Sequence, residues 1–264
     1  MLYPAELRAR SAVLYHWRRA SASRRSVLRL LAGLAGGLVA PAAFGQAALV
    51  PVRADEWRLA DGRLLRLASI VVPDRPDGLA GRGLARAREL AEGSELVPSV
   101  LDRADRFGRL VGSLRDGQGR DLRAALLRAG LAVVRTGEED DQALKGLLAE
   151  EAQGRRAGRG IWGELDRAVA TPEDAGRRIG RFALVRGRVV AHSRRFEADF
   201  LDFGPDWRTD FGVRIPKANL PAFIAAGCDP AGLVGREVEV RGWPFFASGP
   251  MLELRHPLEL EPMP

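Results

Sequence analysis

The chain has 264 residues, 46% of them hydrophobic and 28% charged, enough to bury more than one core and unlike the composition of a disordered or low-complexity protein. Cys228 is the only cysteine, which excludes an intrachain disulfide framework and any cysteine-based zinc or iron–sulfur centre. The formal charge is +7, but residues 1 to 45 hold seven arginines against one acid, Glu6, so the basic excess belongs mostly to the first segment and gives no argument for nucleic-acid binding by the rest.

That first segment carries Arg24-Arg25, then an apolar run from Leu30 to Phe44 rich in Gly and Ala and broken by Pro41. The run falls short of the roughly 20 residues that span a bilayer, so residues 1 to 46 read as a cleaved export leader rather than an anchor. Paired arginines before a modestly hydrophobic stretch resemble a bacterial twin-arginine signal, with an ordinary secretory (Sec) signal as the alternative. Cleavage near residues 45 to 47 would release a periplasmic or secreted protein with no membrane span.

Residues 47 to 163 contain strand candidates at Trp57-Arg58-Leu59, Leu64 to Val72, Glu95 to Pro98 and Leu110 to Leu114. Asp61-Gly62 and Asp116-Gly117 supply turns between them. Gly83 to Ala91 and Asp121 to Ala129 have helical spacing of apolar residues, and a longer helix with Leu144, Leu148, Glu151 and Ala152 follows. The helix closes on Arg159-Gly160-Ile161-Trp162-Gly163.

A polar bridge, residues 164 to 180, leads to a different pattern. From 181 to 264 short strand-like runs occur at Phe182 to Val190, Phe196 to Phe203, Phe211 to Ile215, Val238 to Trp243, Met251 to Leu254 and Leu258 to Leu260. One short helical run, Asn219 to Ala226, interrupts them. This pattern predicts a second small β-barrel of the oligonucleotide/oligosaccharide-binding (OB) type. Phe200, Phe203, Trp207 and Phe211 at near-alternate spacing are expected to fill its core. The mixed charges of Gly235 to Trp243 read as a solvated outer face. Five acids between Glu197 and Asp210 disfavour a phosphate backbone there and favour contact with a protein partner or a structural role. His192 and His256 read as surface or strand residues, and Cys228 as a small buried hydrophobe.

The ordered landmarks Asp105-Arg106-Phe107-Gly108-Arg109, Asp121 to Ala132 and Arg159 to Gly163, with the strand and loop Asp61 to Asp74 upstream, resemble the thermonuclease family, the staphylococcal-nuclease-like phosphodiesterases, over about residues 52 to 163. The resemblance implies a mainly β fold with helices (α+β): a five-stranded OB barrel. It implies that Arg66 and Arg109 clamp a phosphate with paired hydrogen bonds and that Asp74 stands where the family carries its water-positioning glutamate. It implies a calcium ion held by Asp55 and by a second aspartate, a position occupied here by Val71. Valine offers no side-chain oxygen to a hard cation. Two functions follow: phosphodiester hydrolysis of DNA or RNA with an impaired calcium site, or a catalytically inactive nuclease fold that binds nucleic acid or a protein partner.

Overall fold

The computed structural model describes residues 49–73, 78–92, 94–164 and 168–264, without the side chains of residues 102 and 103. The export leader and Asp74 lie outside the described residues. By its contacts the chain divides into Met1–Phe44 and a compact unit, Gly45–Pro264. The unit is mainly β with helices, consistent with the expected α+β class.

The first half begins with β1 (Val50–Arg53), β2 (Glu56–Arg58), β3 (Leu64–Leu67) and β4 (Ile70–Val71). Helix α1 (Leu79–Glu92), β5 (Leu96–Ala104), β6 (Leu110–Asp116), α2 (Leu122–Arg128), β7 (Val133–Val134) and α3 (Asp141–Arg156) follow. The main sheet runs β1-β2-β3-β6-β5, with β3 parallel to β6 and the other pairs antiparallel. Numbered within the sheet this is 1-2-3-5-4, the strand order of an OB barrel. No pairing of β5 with β1 closes it among the described residues.

The predicted strand over 64–72 is broken. Ser69 takes φ +58°, a left-handed conformation that few non-glycine residues adopt. The chain therefore turns out of the main sheet, and Ile70 and Val71 pair with Val134 and Val133 instead. Helices α2 and α3 start where Asp121 and Asp140 accept hydrogen bonds from Arg123 N and Ala143 N. Beyond α3, Gly160 (φ +57°) meets Gly130 (φ +64°): a Cβ at either would lie within 2.2 Å of a carbonyl oxygen of the facing segment. Only glycine permits that approach, and it lets Ile161 N reach Gly130 O at 3.0 Å. Ile161 and Trp162 are thereby seated in a core with Trp57, Leu65, Leu67 and Leu126.

The bridge after residue 164 is partly structured. It supplies β8 (Val169–Ala170) and a 3₁₀ turn, Ala175–Arg178. The second half continues with β9 (Ala183–Arg188), β10 (Ala191–Arg194), β11 (Ala198–Asp202), β12 (Gly212–Pro216), helix α4 (Leu220–Ala225), β13 (Glu237–Gly242), β14 (Phe245–Phe246), β15 (Pro250–Glu253) and β16 (Leu260–Pro262). Its two sheets, β10-β11-β12-β15-β14 and β16-β13-β9-β8, surround one core. The chain passes directly from one sheet to the other at β9–β10: Val189 N donates to Arg236 O and Val190 N to Asp202 O. Strand β12 is parallel to β15, and among the described residues neither sheet closes on itself.

Two expectations for this half are corrected. Phe203 and Phe211 are buried, with ring centroids 5.0 Å apart, but Trp207 is 59% exposed on the loop between β11 and β12, so the aromatic run does not fill the core as a set. Of the charges of β13 only Glu237 is solvated; Glu239 and Arg241 are 2% and 6% exposed. They face α3, where Arg241 pairs with Glu151 at 3.0 Å and Arg155 pairs with Glu239 at 2.5 Å. The partners are i, i+4 on the helix and i, i+2 on the strand, so two crossed ion pairs fit side by side. The carboxy-terminal segment adds Glu259 to Thr136 and His256 to Asp141, the latter at 3.0 Å. Among the described residues no helix is long and apolar enough to cross a membrane.

Candidate phosphate-binding site

Arg66 stands on β3 opposite Glu56 of β2, and Arg109 precedes β6 in the turn that Asp105 organises. Asp105 Oδ1 accepts from Phe107 N at 2.9 Å and from Arg109 N at 3.1 Å. Its other oxygen takes Arg109 Nε at 2.8 Å and Arg66 Nε at 3.4 Å. Two guanidinium groups 43 positions apart in the sequence thus converge on one carboxylate oxygen. That convergence is the arrangement a phosphate clamp needs.

Both forks are already engaged. Glu138 lies in the loop before α3 and binds Arg66 through both carboxylate oxygens, binds Arg135, and accepts Ser69 N at 2.7 Å. Arg109 reaches Glu56 as well as Asp105. Arg66 is 8% exposed. Burial alone would raise the carboxyl of Glu138, yet the Arg66 hydrogen bonds, the Arg135 charge and the Ser69 amide outweigh it and hold the group below its ordinary value. Asp105 is lowered in the same way, burial being overcome by Arg109 and two backbone amides. Arg109 is raised, Asp105 and Glu56 prevailing over burial. Three arginines and three carboxylates therefore neutralise one another. On the rim, Phe107 is 66% exposed, with the Arg106 and Arg109 guanidinium groups 4.7 and 5.2 Å from its ring.

Of the residues assigned to calcium, Asp55 adjoins this cluster through its backbone, its carbonyl accepting Leu67 N at 2.8 Å. Asp55, Val71 and Val72 line a cavity that Arg66 and Arg109 do not reach. Val71 packs against the first core. Asp55 Oδ1 is 3.4 Å from Arg53 Nε but in no hydrogen bond; the two statements agree if the contact is a charge pair of poor directional geometry. One carboxylate, already beside an arginine, does not make an oxygen cage for calcium. Among the described residues no group of three or more His, Cys, Asp or Glu side chains could hold a metal. The donors among the described residues do not fit the ion.

Glu138 escaped the sequence reading because Glu138-Glu139-Asp140-Asp141 looks like a solvated acidic run. Each member instead has its own partner: Glu139 binds Arg123 at 2.5 Å, Asp140 caps α3 and Asp141 meets His256. The available signal was the excess of arginines on β3, on α2 and just after β7, which had to be neutralised from somewhere.

The fold of this half is α+β, with the strand order of an OB barrel. A family model described as "Staphylococcal nuclease homologue" matches residues 80–164, which supports a thermonuclease-like domain there. The match includes Arg109 and Glu138, whereas Arg66, Asp55 and Val71 lie upstream of it. Comparison with the curated proteins gives no match for the chain.

Proposed function

We propose that this protein is a nuclease-like phosphodiester-binding module, retaining the two-arginine receptor for DNA or RNA without the calcium donors that drive hydrolysis in thermonucleases. The observation that carries the reading is the convergence of Arg66 and Arg109 on Asp105 Oδ2, with Val71 at the position where the resemblance expects the second calcium-binding aspartate. A backbone phosphate would enter by replacing Glu138 on Arg66, exchanging one bidentate anion for another. Exposed Phe107 offers a face for a base next to that phosphate. Fluorescence anisotropy with short single-stranded DNA and RNA tests this: Arg66→Ala weakens binding about tenfold and lowers the salt slope by about one phosphate equivalent. Equal affinity of wild type and Arg66→Ala would refute the clamp.

A second reading, slow phosphodiester hydrolysis, is favoured by the intact arginine pair itself. Digestion of DNA and RNA with calcium or with chelator separates the two. Cleavage that requires calcium and is abolished by Arg66→Ala establishes the enzyme; no cleavage by wild type but gain with Val71→Asp establishes a lost metal site on an intact scaffold.

The same proposal places the mature protein, processed near residues 45 to 47, in the periplasm or outside the cell. It divides the chain into residues 47–163, a bridge to 180, and a carboxy-terminal barrel whose acidic β11–β12 region faces a protein partner. Replacing Arg24 and Arg25 by Lys abolishes export by a twin-arginine route and leaves a general secretory route working.

A further inference from the structure

The carboxy-terminal segment returns to the loop that carries Glu138. That loop, residues 135–140 between β7 and α3, lies outside any strand or helix. Within the first half it is tied by Arg135 N to Ser69 O at 3.0 Å and by Glu139 to Arg123 at 2.5 Å. From the second half, Glu259 takes the hydroxyl of Thr136, which stands just before Gly137 and Glu138. On the far side of Glu138, His256 Nε2 meets Asp141 Oδ1 at 3.0 Å. Glu138 is thus bracketed by two anchors from a segment more than 100 residues away in the chain.

The anchors are shaped in advance of these contacts. Glu259 Oε2 accepts Arg255 N at 2.6 Å and His256 N at 3.0 Å, which fixes the carboxylate and directs Oε1 to Thr136. His256 Nδ1 accepts Leu258 N at 3.2 Å, so the ring proton on Nε2 is the one donated to Asp141. The two side chains form a reciprocal capping box on the 3₁₀ turn Pro257–Glu259, and that turn leads into β16, which pairs with β13. A rigid clip therefore holds the loop. Its outer contact is open to water, the Asp141 side chain being 64% exposed, so this anchor can break without stranding a buried charge.

If a phosphate displaces Glu138 from Arg66, as proposed above, the fraction of molecules with Glu138 withdrawn sets the apparent affinity. We propose that Thr136, His256 and Glu259 are positioning residues that keep Glu138 in the Arg66 fork, making the carboxy-terminal segment an internal brake on the anion site. The inference rests on the clamp reading and adds its regulation: lifting the segment opens the clamp from a distance.

Fluorescence anisotropy of the whole chain with a short single-stranded DNA tests the brake through a double-mutant cycle. Thr136→Val keeps the shape of the side chain and removes the hydroxyl; the expected result is about fivefold tighter binding, the release that one hydrogen bond of ordinary net strength allows. Thr136→Ser keeps the hydroxyl and retains wild-type affinity. His256→Ala cuts the second anchor and tightens binding in the same direction. In a Glu138→Gln background, where the competing charge is already gone, Thr136→Val adds nothing. A loss of packing alone predicts neither the tighter binding nor its disappearance in that background. The brake is overturned if Thr136→Val leaves affinity unchanged, or if it tightens binding equally in the Glu138→Gln background. Failure of the clamp reading shows itself separately: wild type and Arg66→Ala then bind equally, and the brake falls with the clamp. Should Thr136→Val fail to fold, His256→Ala in the two backgrounds decides the same question.

Discussion

Two buried ion networks stand on either side of α3, and they are built differently. On the β13 side, Glu151 and Arg241 pair with side chains 4% and 7% exposed, and Arg241 also donates to Val134 O at 3.3 Å; these two charges are matched between α3 and the strand it covers. At the Arg66 cluster the same kinds of group meet, but Glu138 comes from a loop rather than from a strand or helix. The first arrangement joins the two halves of the unit. The second presents an anion receptor with an internal anion in place. Burial of charge by itself does not distinguish a strut from a site; what distinguishes them is whether one partner can be exchanged for something from solution.

The comparison breaks most sharply at Glu151. Glu151→Ala strands the Arg241 guanidinium in the interior, and about 3–5 kcal/mol of stability should be lost, read as a lower midpoint in urea unfolding. A loss below about 1 kcal/mol would show that Arg241 reaches water and that the network is no strut. Glu239→Ala should cost less, about 1–2 kcal/mol, because Arg155 and Arg186 are 23% and 26% exposed and can rehydrate.

At the other network the main effect should fall on binding rather than on stability. Glu138→Gln keeps the shape but removes the competing charge, and affinity for a short single-stranded oligonucleotide should rise about tenfold, worth about 1.4 kcal/mol; unchanged affinity would mean that Glu138 does not compete. The pH response is smaller and has a defined sign. The carboxyl of Glu138 is held below its ordinary value of 4.5, so its stabilising contribution is complete above that value and is lost as pH falls through the lowered one. Melting temperatures of wild type and Glu138→Gln should therefore differ at pH 6 and converge as pH drops below about 4. A difference that widened in acid would reverse the assignment.

Much of the first half could be read from sequence for definite physical reasons. The helices declared themselves by apolar spacing, and Gly160-Ile161-Trp162 was legible as the close of the last one, though not as the close approach to Gly130 that seats it. Arg66 and Arg109 were legible as a pair because the family resemblance fixed their places. Their carboxylate partners were not, since Glu56, Asp105 and Glu138 come from three separate segments and an acidic run looks the same whether solvated or committed. The break at Ser69 was hidden inside an unbroken apolar run. Alternating charge on β13 suggested a wet face because sequence shows the alternation and not what packs against it; α3 covers that face with matching charges. Val71, by contrast, needed no structure to argue against calcium.

The return of the carboxy-terminal segment to the first half, through Glu259 to Thr136 and His256 to Asp141, has a consequence for cooperativity. The final strand is hydrogen-bonded to β13, and β13 is ion-paired to α3, so the last dozen residues close a loop of contacts spanning most of the unit. Melting followed by calorimetry should give one transition for residues 45–264, with equal van't Hoff and calorimetric enthalpies. A chain cut after residue 254 should not merely lose its tail: it should loosen α3 and Thr136, more than 100 residues upstream, before it disturbs the helical segments nearest the amino terminus of the fold.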